Sequence, residues 1–432
     1  MSPRPLRISG KVTGITGLVI QASLSEAYMG EICEIAPRGG GSALRAEVVG
    51  FGPHGALLMP LGELRNIGKG CEAIATGESL TAPVGDALLG RRLDGLGDPM
   101  DGRPLGDVKR VPVFRSAPHP LHRRRIRTQL PVGVKAIDAM LPCGEGQRVG
   151  IFAAAGGGKS TLMGMIARYC PSAVKVIVLV GERGREVTEF IEDNLGDSLK
   201  SSVVIAATAE QPAVVRMKAA YIGTTIAEYF RDRGRKVILM VDSVTRFARA
   251  QREIGLARGE PPARYGFPPS VFAELPQLFE RCGNAVGEGS ITGFYTVLVE
   301  GDNLDEPVAD ESRSLLDGHI ILSRKVSYHP KIDVLESESR VRSNLTLDAE
   351  AKANASALRD FLDYYRKNQQ AIEFGFYKGG DQKEIAKVER KKDLANEFLK
   401  QPEEVGKVEY AETQIRLRKL LEDWRSIDRA PA

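Results

Sequence analysis

Hydrophobic and polar positions along this chain fall into three successive textures. From Ile8 to about Leu80, short apolar runs separated by glycine recur in GKVTGI, GLVIQASL, GEICEI, RAEVVGF and GALLMPL. Turn residues every ~8–12 positions predict a small β-barrel. After Thr81 the runs lose their alternation: RVGIFA, KVIVLVG, SVVIAATA, KVILMVD and SITGFYTVLV are apolar on consecutive positions and are separated by helical patterns. Strands buried on both faces have this signature, which predicts a parallel sheet flanked by helices between about Val84 and Val341. From about Leu345 strand signals stop, and charge-rich helical stretches such as DAEAKANASALRDFLDYYRKNQQAIEF and ETQIRLRKLLEDW follow. The expected organisation is multidomain α/β: a barrel over residues 1–80, a P-loop α/β domain over 81–344 and a helical domain over 345–432.

Composition narrows this only slightly. With 42% hydrophobic and 27% charged residues, the 432-residue chain has the make-up of a soluble globular protein. A net charge of +4 is too small to argue for nucleic acid. Five cysteines without a CxxC pair predict reduced, buried thiols, and five scattered histidines offer no zinc motif. No apolar stretch reaches the roughly 18–20 residues of a membrane span, and the N-terminus has no apolar leader core, so a cytoplasmic location is expected.

The chemistry concentrates in Ala153–Thr161, AAAGGGKST, set between a strand-like and a helix-like segment. A phosphate-binding loop needs glycines for positive φ and for close backbone approach, a Lys for the β/γ-phosphates and a hydroxyl for Mg²⁺. Ala154, Ala155, Gly156, Gly157, Gly158, Lys159, Ser160 and Thr161 supply these, although Ala153 stands where the strict pattern has its first glycine. Asp242 ends the apolar run KVILMVD, a position from which nucleotide motors hold the Mg²⁺ shell. Glu182 follows KVIVLVG and can polarise an attacking water, with Arg183 and Arg185 beside it to keep it ionised. The run HRRRIR (122–127) lacks interleaved aromatics and reads as a solvated or subunit-contact stretch. DSVTRFARAQRE (242–253) has helical spacing, and most of its charges are expected on a solvent or interface face.

With these residues in place, the chain resembles type III secretion system ATPases of the injectisome type and their flagellar export counterparts, and more distantly the α and β subunits of rotary ATP synthases. The resemblance runs nearly end to end through LLGRRLDGLGDPMDG, CGEGQRVGIFAAAGGGKST, GERGREVTEFIED, the long run from DSVTRFARAQRE to FAELPQLFER, GSITGFYTVLVEGDNLDEPVADESRSLLDGHIILSR and IDVLESESRV. It implies an N-terminal barrel, a RecA-like ATPase domain and a C-terminal helical domain engaging chaperone–substrate complexes. It also implies catalytic roles for Lys159, Glu182 and Arg183, and an arginine finger, Arg340, reaching a neighbour's site. Adenine contacts fall to His329, with Tyr328 the alternative in that slot, and to Tyr377. The implied cofactors are ATP and Mg²⁺, the metal held through Ser160 and Asp242. The implied assembly is a homohexamer with a central stalk, peripheral stator and regulator proteins, chaperone–effector complexes and the export gate at the inner membrane, where the ATPase is peripheral; no nucleic acid is expected. A rotary synthase subunit is the first alternative, although the tail lacks that family's acidic run. An RNA-translocating hexameric helicase is the second, although GLVIQASLSEAYMGEICEI offers no basic, aromatic face.

Overall fold

The computed structural model describes residues 8–172, 174–300 and 303–429. Six antiparallel strands, β1 (Ser9–Thr16), β2 (Val19–Ala22), β3 (Glu31–Ile35), β4 (Leu44–Gly52), β5 (Gly55–Pro60) and β6 (Glu72–Ser79), close into a barrel in the order β1-β2-β5-β4-β3-β6. Five match apolar runs legible in the sequence; β6, EAIATGES, closes the barrel and is the strand the pattern did not announce. Its Ala73 and Ala75 join Val12, Ile20, Ile35, Val48 and Leu58 in a dry interior.

A two-stranded ribbon, β7 (Thr81–Val84) with β9 (Lys109–Pro112), leads into a nine-stranded sheet. Its nine strands are β8 (Arg92–Asp94), β10 (Arg148–Ala153), β11 (Val174–Val180), β12 (Ser202–Ala207), β13 (Lys236–Asp242), β14 (Gly283–Asn284), β15 (Ser290–Leu298), β16 (Gly318–Leu322) and β17 (Glu338–Ser339). The order is β17-β16-β10-β15-β13-β11-β12-β8, with β14 beside β15; from β8 to β16 the ladder is parallel, and β14 and β17 run antiparallel.

The unbroken apolar runs are explained by what covers each face. Successive side chains of a strand point oppositely. Val176, Val178 and Val180 of β11 pack in one cluster with α4 (Ala213–Arg231), α5 (Val244–Ala257) and α6 (Pro269–Glu280). Ile177 and Leu179 pack in a second cluster with α1 (Lys135–Met140), α2 (Lys159–Tyr169) and the C-terminal helices. Between these lie α3 (Gly184–Glu189) and α7 (Pro307–Leu315), and the chain ends on α8 (Ala349–Glu373), α9 (Gln382–Leu399) and α10 (Tyr410–Arg429). Barrel and sheet are joined by a buried ion pair: Lys218 Nζ of α4 lies 2.7 Å from Glu47 Oε1 of β4, and over the Phe114 ring.

All five cysteines are free and buried. Most of the HRRRIR run is exposed, although two of its arginines are anchored to backbone carbonyls. Arg123 donates to the carbonyls of Cys282 and Glu280, and Arg124 to those of Glu288 and Gly289, so both tie the domain entrance to the turn after α6. Among the described residues no helix is long and apolar enough to cross a membrane.

Candidate functional site

The site grows from the C-terminal tips of β10, β13 and β11, parallel strands with β15 lying between the first two, where the chain turns into helices and open sheets of this kind bind ligands. After β10 the chain makes a tight loop in which Gly157 N–H donates to the Ala154 carbonyl at 3.0 Å. Gly156 and Gly158 have φ of 72° and 91°, a region glycine enters without strain. A Cβ at either would meet open space, so only the backbone conformation demands glycine there. Lys159 then opens α2, whose first N–H groups have no partner within the helix and aim at the loop's concavity.

Lys159 Nζ lies 2.5 Å from Asp242 Oδ1 and 3.2 Å from Glu182 Oε1. Loop, Glu182 and Asp242 therefore converge on one point. Thr296 of β15 donates to Asp242 Oδ1 at 2.7 Å, fixing the carboxylate from beneath. Glu182 Oε2 lies 2.8 Å from a guanidinium nitrogen of Arg246, and Arg246 also donates to the Gly181 carbonyl. Burial raises the Glu182 carboxyl to about 7, with Lys159 and Arg246 pulling it down and Asp242 pushing it further up. Burial works against the Lys159 ammonium, but Asp242 and Glu182 outweigh it and hold its pKa above the ordinary lysine range.

Arg246 corrects two expectations. It belongs to the DSVTRFARAQRE helix, yet it turns inward while Arg249 pairs with Glu300 at the surface. It also takes the place expected for Arg183 and Arg185, which extend outward and pair with Glu186 and Glu189. Arg183, expected in catalysis, caps α3, and its side chain is 77% exposed. The reason is local geometry: both arginines sit at the start of a short helix leaving the sheet, whereas Arg246 is in the first turn of α5, directly behind Asp242. Arg324, from the turn after β16, donates to the Ala155 carbonyl and is a loop contact the sequence reading did not anticipate.

Ser160 is exposed at the head of α2. Among the described residues no group of three or more His, Cys, Asp or Glu is arranged to hold a metal ion by itself. A metal bound beside the loop would thus rely on the Ser160 hydroxyl, the Asp242 carboxylate and oxygens of the ligand itself. Such a hard, oxygen-only set with few protein donors suits Mg²⁺.

The remaining expected residues are distributed differently. His329 lies beside the 400–408 turn, its carbonyl accepting from Gln401 N–H at 2.6 Å. That turn reaches the loop helix through Arg168 and Glu403 at 3.0 Å, and the entrance to α1 through Gln401 and Gly133. Tyr328 points the other way: it is buried, and its hydroxyl donates to the Ile332 carbonyl at 3.0 Å. Tyr377 is not brought to this region. It is buried with Ile372, Ile385 and Val388 at the turn between α8 and α9, its hydroxyl on that of Tyr364. Apolar packing of the helical hairpin claims the ring that the sequence reading offered to adenine. Arg340 sits just past β17, on the far margin of the sheet, donating to the Ser314 and Leu316 carbonyls at the end of α7. Within one chain it does not meet Lys159.

Comparison with known proteins bears on this arrangement. The description "ATP synthase alpha/beta family, nucleotide-binding domain" matches residues 133–339, the family's beta-barrel domain matches 12–77, and "T3SS EscN ATPase C-terminal domain" matches 347–419. A type 3 secretion system ATPase of Xanthomonas euvesicatoria is 51% identical over 91% of this chain and 90% of its own. The chain belongs to the type 3 secretion system ATPase family. It is an ATP-hydrolysing enzyme with close flagellar relatives: the flagellum-specific ATP synthase of Bacillus subtilis is 49% identical over 91% of this chain and 90% of its own. Among solved structures, the assembled ATPase EscN of the enteropathogenic E. coli type III secretion system superposes with a TM-score of 0.88 at 41% identity. That match covers 95% of this chain and 100% of the chain in that structure. EscN in complex with its central stalk EscO superposes at 0.86.

Proposed function

We propose that this type III secretion ATPase works as a homohexameric Mg-ATP motor whose sites lie between neighbouring subunits. The observation that carries the reading is the convergence of Lys159, Glu182 and Asp242 at the mouth of a glycine loop, with Arg340 stationed at the opposite margin of the same sheet. The loop N–H groups and Lys159 bind the β- and γ-phosphates, with Ser160 and Asp242 holding Mg²⁺, which neutralises charge on the phosphates. Once Lys159 turns to phosphate, Arg246 remains beside Glu182 and keeps it ionised; Glu182 then orients the attacking water and takes its proton as the γ-phosphorus bond to the bridging oxygen breaks. His329 borders the base, and Arg340 stabilises transition-state charge in the adjacent subunit.

The barrel (1–80) supports ring assembly, residues 81–344 carry hydrolysis, and the helices of 345–432 engage chaperone–effector complexes. A central stalk, as EscN has in EscO, and stator or regulator proteins complete the motor at the cytoplasmic side of the export gate, peripheral to the inner membrane. Hydrolysis releases chaperones and unfolds export substrates there.

Arg340→Ala should lower turnover by roughly 10³–10⁵. Mixing it with Lys159→Ala subunits should restore part of the activity, because a mixed boundary joins an intact loop to an intact finger. Full activity of monomeric Arg340→Ala, established by native mass, overturns the shared-site reading.

A further inference from the structure

Residues 329–340 form one continuous connector, with His329 at its start and Arg340 at its end. It runs along the free edge of β16. Ser323 N–H donates to the Lys331 carbonyl, Asp333 N–H to the Ile321 carbonyl, and Glu338 and Ser339 pair with His319 and Gly318. The bend between these contacts is built on Asp333, whose Oδ1 accepts from Leu335 N–H at 3.0 Å and Glu336 N–H at 3.1 Å. Ser337 returns to the Asp333 carbonyl and accepts from Ile321 N–H, closing the bend onto the sheet.

Helix α8 grips this connector from outside. Arg366 donates to both oxygens of Asp333, at 2.6 and 2.8 Å, and to Glu336 Oε1 at 2.8 Å. Two turns earlier on the same helix, Arg359 donates to the carbonyls of Val334 and Leu335, each at 3.0 Å, and of Ser337 at 3.5 Å. Seven residues bring both arginines to one helix face. A planar guanidinium on a carboxylate fixes direction as well as distance, which an ammonium does not. Beside this grip, a cavity of about 720 Å³ separates the sheet edge from α8 and α9, lined in part by Tyr328, Tyr365, Gln369 and Lys392. Deeper in, Leu358 and Leu362 of α8 pack in one apolar cluster with Ile320 and Leu322 of β16 and with Val334 of the connector, so packing and the two arginines together tie α8 to the connector.

We propose that Arg366, assisted by Arg359, is a positioning residue through which the helical domain sets the Arg340 finger. A shift of α8 is passed through Asp333 to the whole connector, so one helix addresses the subunit's own base-side residue and its neighbour's transition state together. The inference rests on the shared-site reading above.

The test uses assembled rings at saturating ATP. Lys159→Ala subunits, which donate only a finger, are mixed with Arg340→Ala subunits, which offer only a loop. The mixture is repeated with Arg366→Gln, and separately Arg366→Lys, added to the Lys159→Ala chain. Arg366→Gln should cut the recovered turnover about tenfold, since small misplacement of a catalytic group is costly, and Arg366→Lys about threefold. Ring content by native mass, scored in every mixture, normalises the turnover to assembled boundaries. Equal recovery per ring in all mixtures overturns the proposal. Failure of the parent mixture itself overturns the shared-site reading instead. If Arg366→Gln prevents assembly, the Arg366→Lys mixture decides alone: reduced turnover per ring supports the proposal, and undiminished turnover overturns it.

Discussion

The two margins of the central sheet are built on opposite terms. At the tips of β10, β11 and β13, four charged side chains satisfy one another: Lys159 between Asp242 and Glu182, with Arg246 behind Glu182. At the β16–β17 margin Arg340 is 43% exposed and held by carbonyls, with its nearest carboxylate, Glu338, 3.7 Å away. The first margin is preorganised within one chain and must surrender Lys159 when phosphate arrives. The second has little to surrender, because hydrogen bonds from an exposed guanidinium to carbonyls are weakly held against water. On the proposed shared-site reading, a group that reaches across a subunit boundary is thus stored where its release costs least.

The sharpest way to break the comparison is to disable the first margin in two ways. Lys159→Ala should abolish hydrolysis and weaken nucleotide binding, since the ammonium contacts phosphate in the ground state. Glu182→Gln should lower turnover by about 10²–10⁴ yet still bind Mg-ATP, because its work is on the water. Binding by fluorescent-nucleotide titration separates the two; normal turnover by the Glu182→Gln protein removes this residue from the chemistry.

A smaller effect tests Arg246. Glu182 must be ionised to act, and burial raises it to about 7, so turnover should fall as pH drops through that value. Arg246 favours the ionised form, and Arg246→Gln should move the acid limb of the kcat profile upward by about half to one pH unit. The loss should then be several-fold at pH 7 and small at pH 9. An equal loss at every pH would mean that Arg246 only supports the Gly181 turn.

The smallest effect concerns the base. Stacking on an aromatic ring is worth roughly 1–3 kcal/mol, and an imidazole should lie at the low end. His329→Ala is expected to raise the KM for ATP about several-fold with kcat nearly unchanged. Tyr377→Leu, which keeps an apolar side chain in the α8–α9 hairpin but removes the aromatic ring, should leave KM alone; a KM rise matching that of His329→Ala would restore Tyr377 to the base site.

Much of this was legible in the chain. Glycine punctuation announced five barrel strands, and unalternated apolar runs announced the buried sheet with Glu182 and Asp242 at its strand ends. The unread parts share a cause: each depends on how elements cross in space. Helical spacing put Arg246 among surface charges, and only the crossing of α5 behind β13 turns it toward Glu182. Tyr377 carries no local sign that Ile385 and Val388 will fold back over it. Gln401, wholly buried and bonded to Gly133 and the Lys135 N–H, joins segments more than 250 residues apart, which no local pattern can foretell. Strand β6 escaped notice because its last residues are exposed and its alternation is short.

The Glu47–Lys218 pair gives the barrel a consequence for exchange between relatives. Two opposite charges, both nearly sealed from water, straddle the joint between the barrel and the ATP-hydrolysing part of the chain. Grafting a barrel that lacks the acid would strand an ammonium in a dry seam, a loss of about 3–5 kcal/mol. An apolar pair across the same seam would be tolerated far better. The two modules are therefore matched parts, inherited or replaced together at this contact.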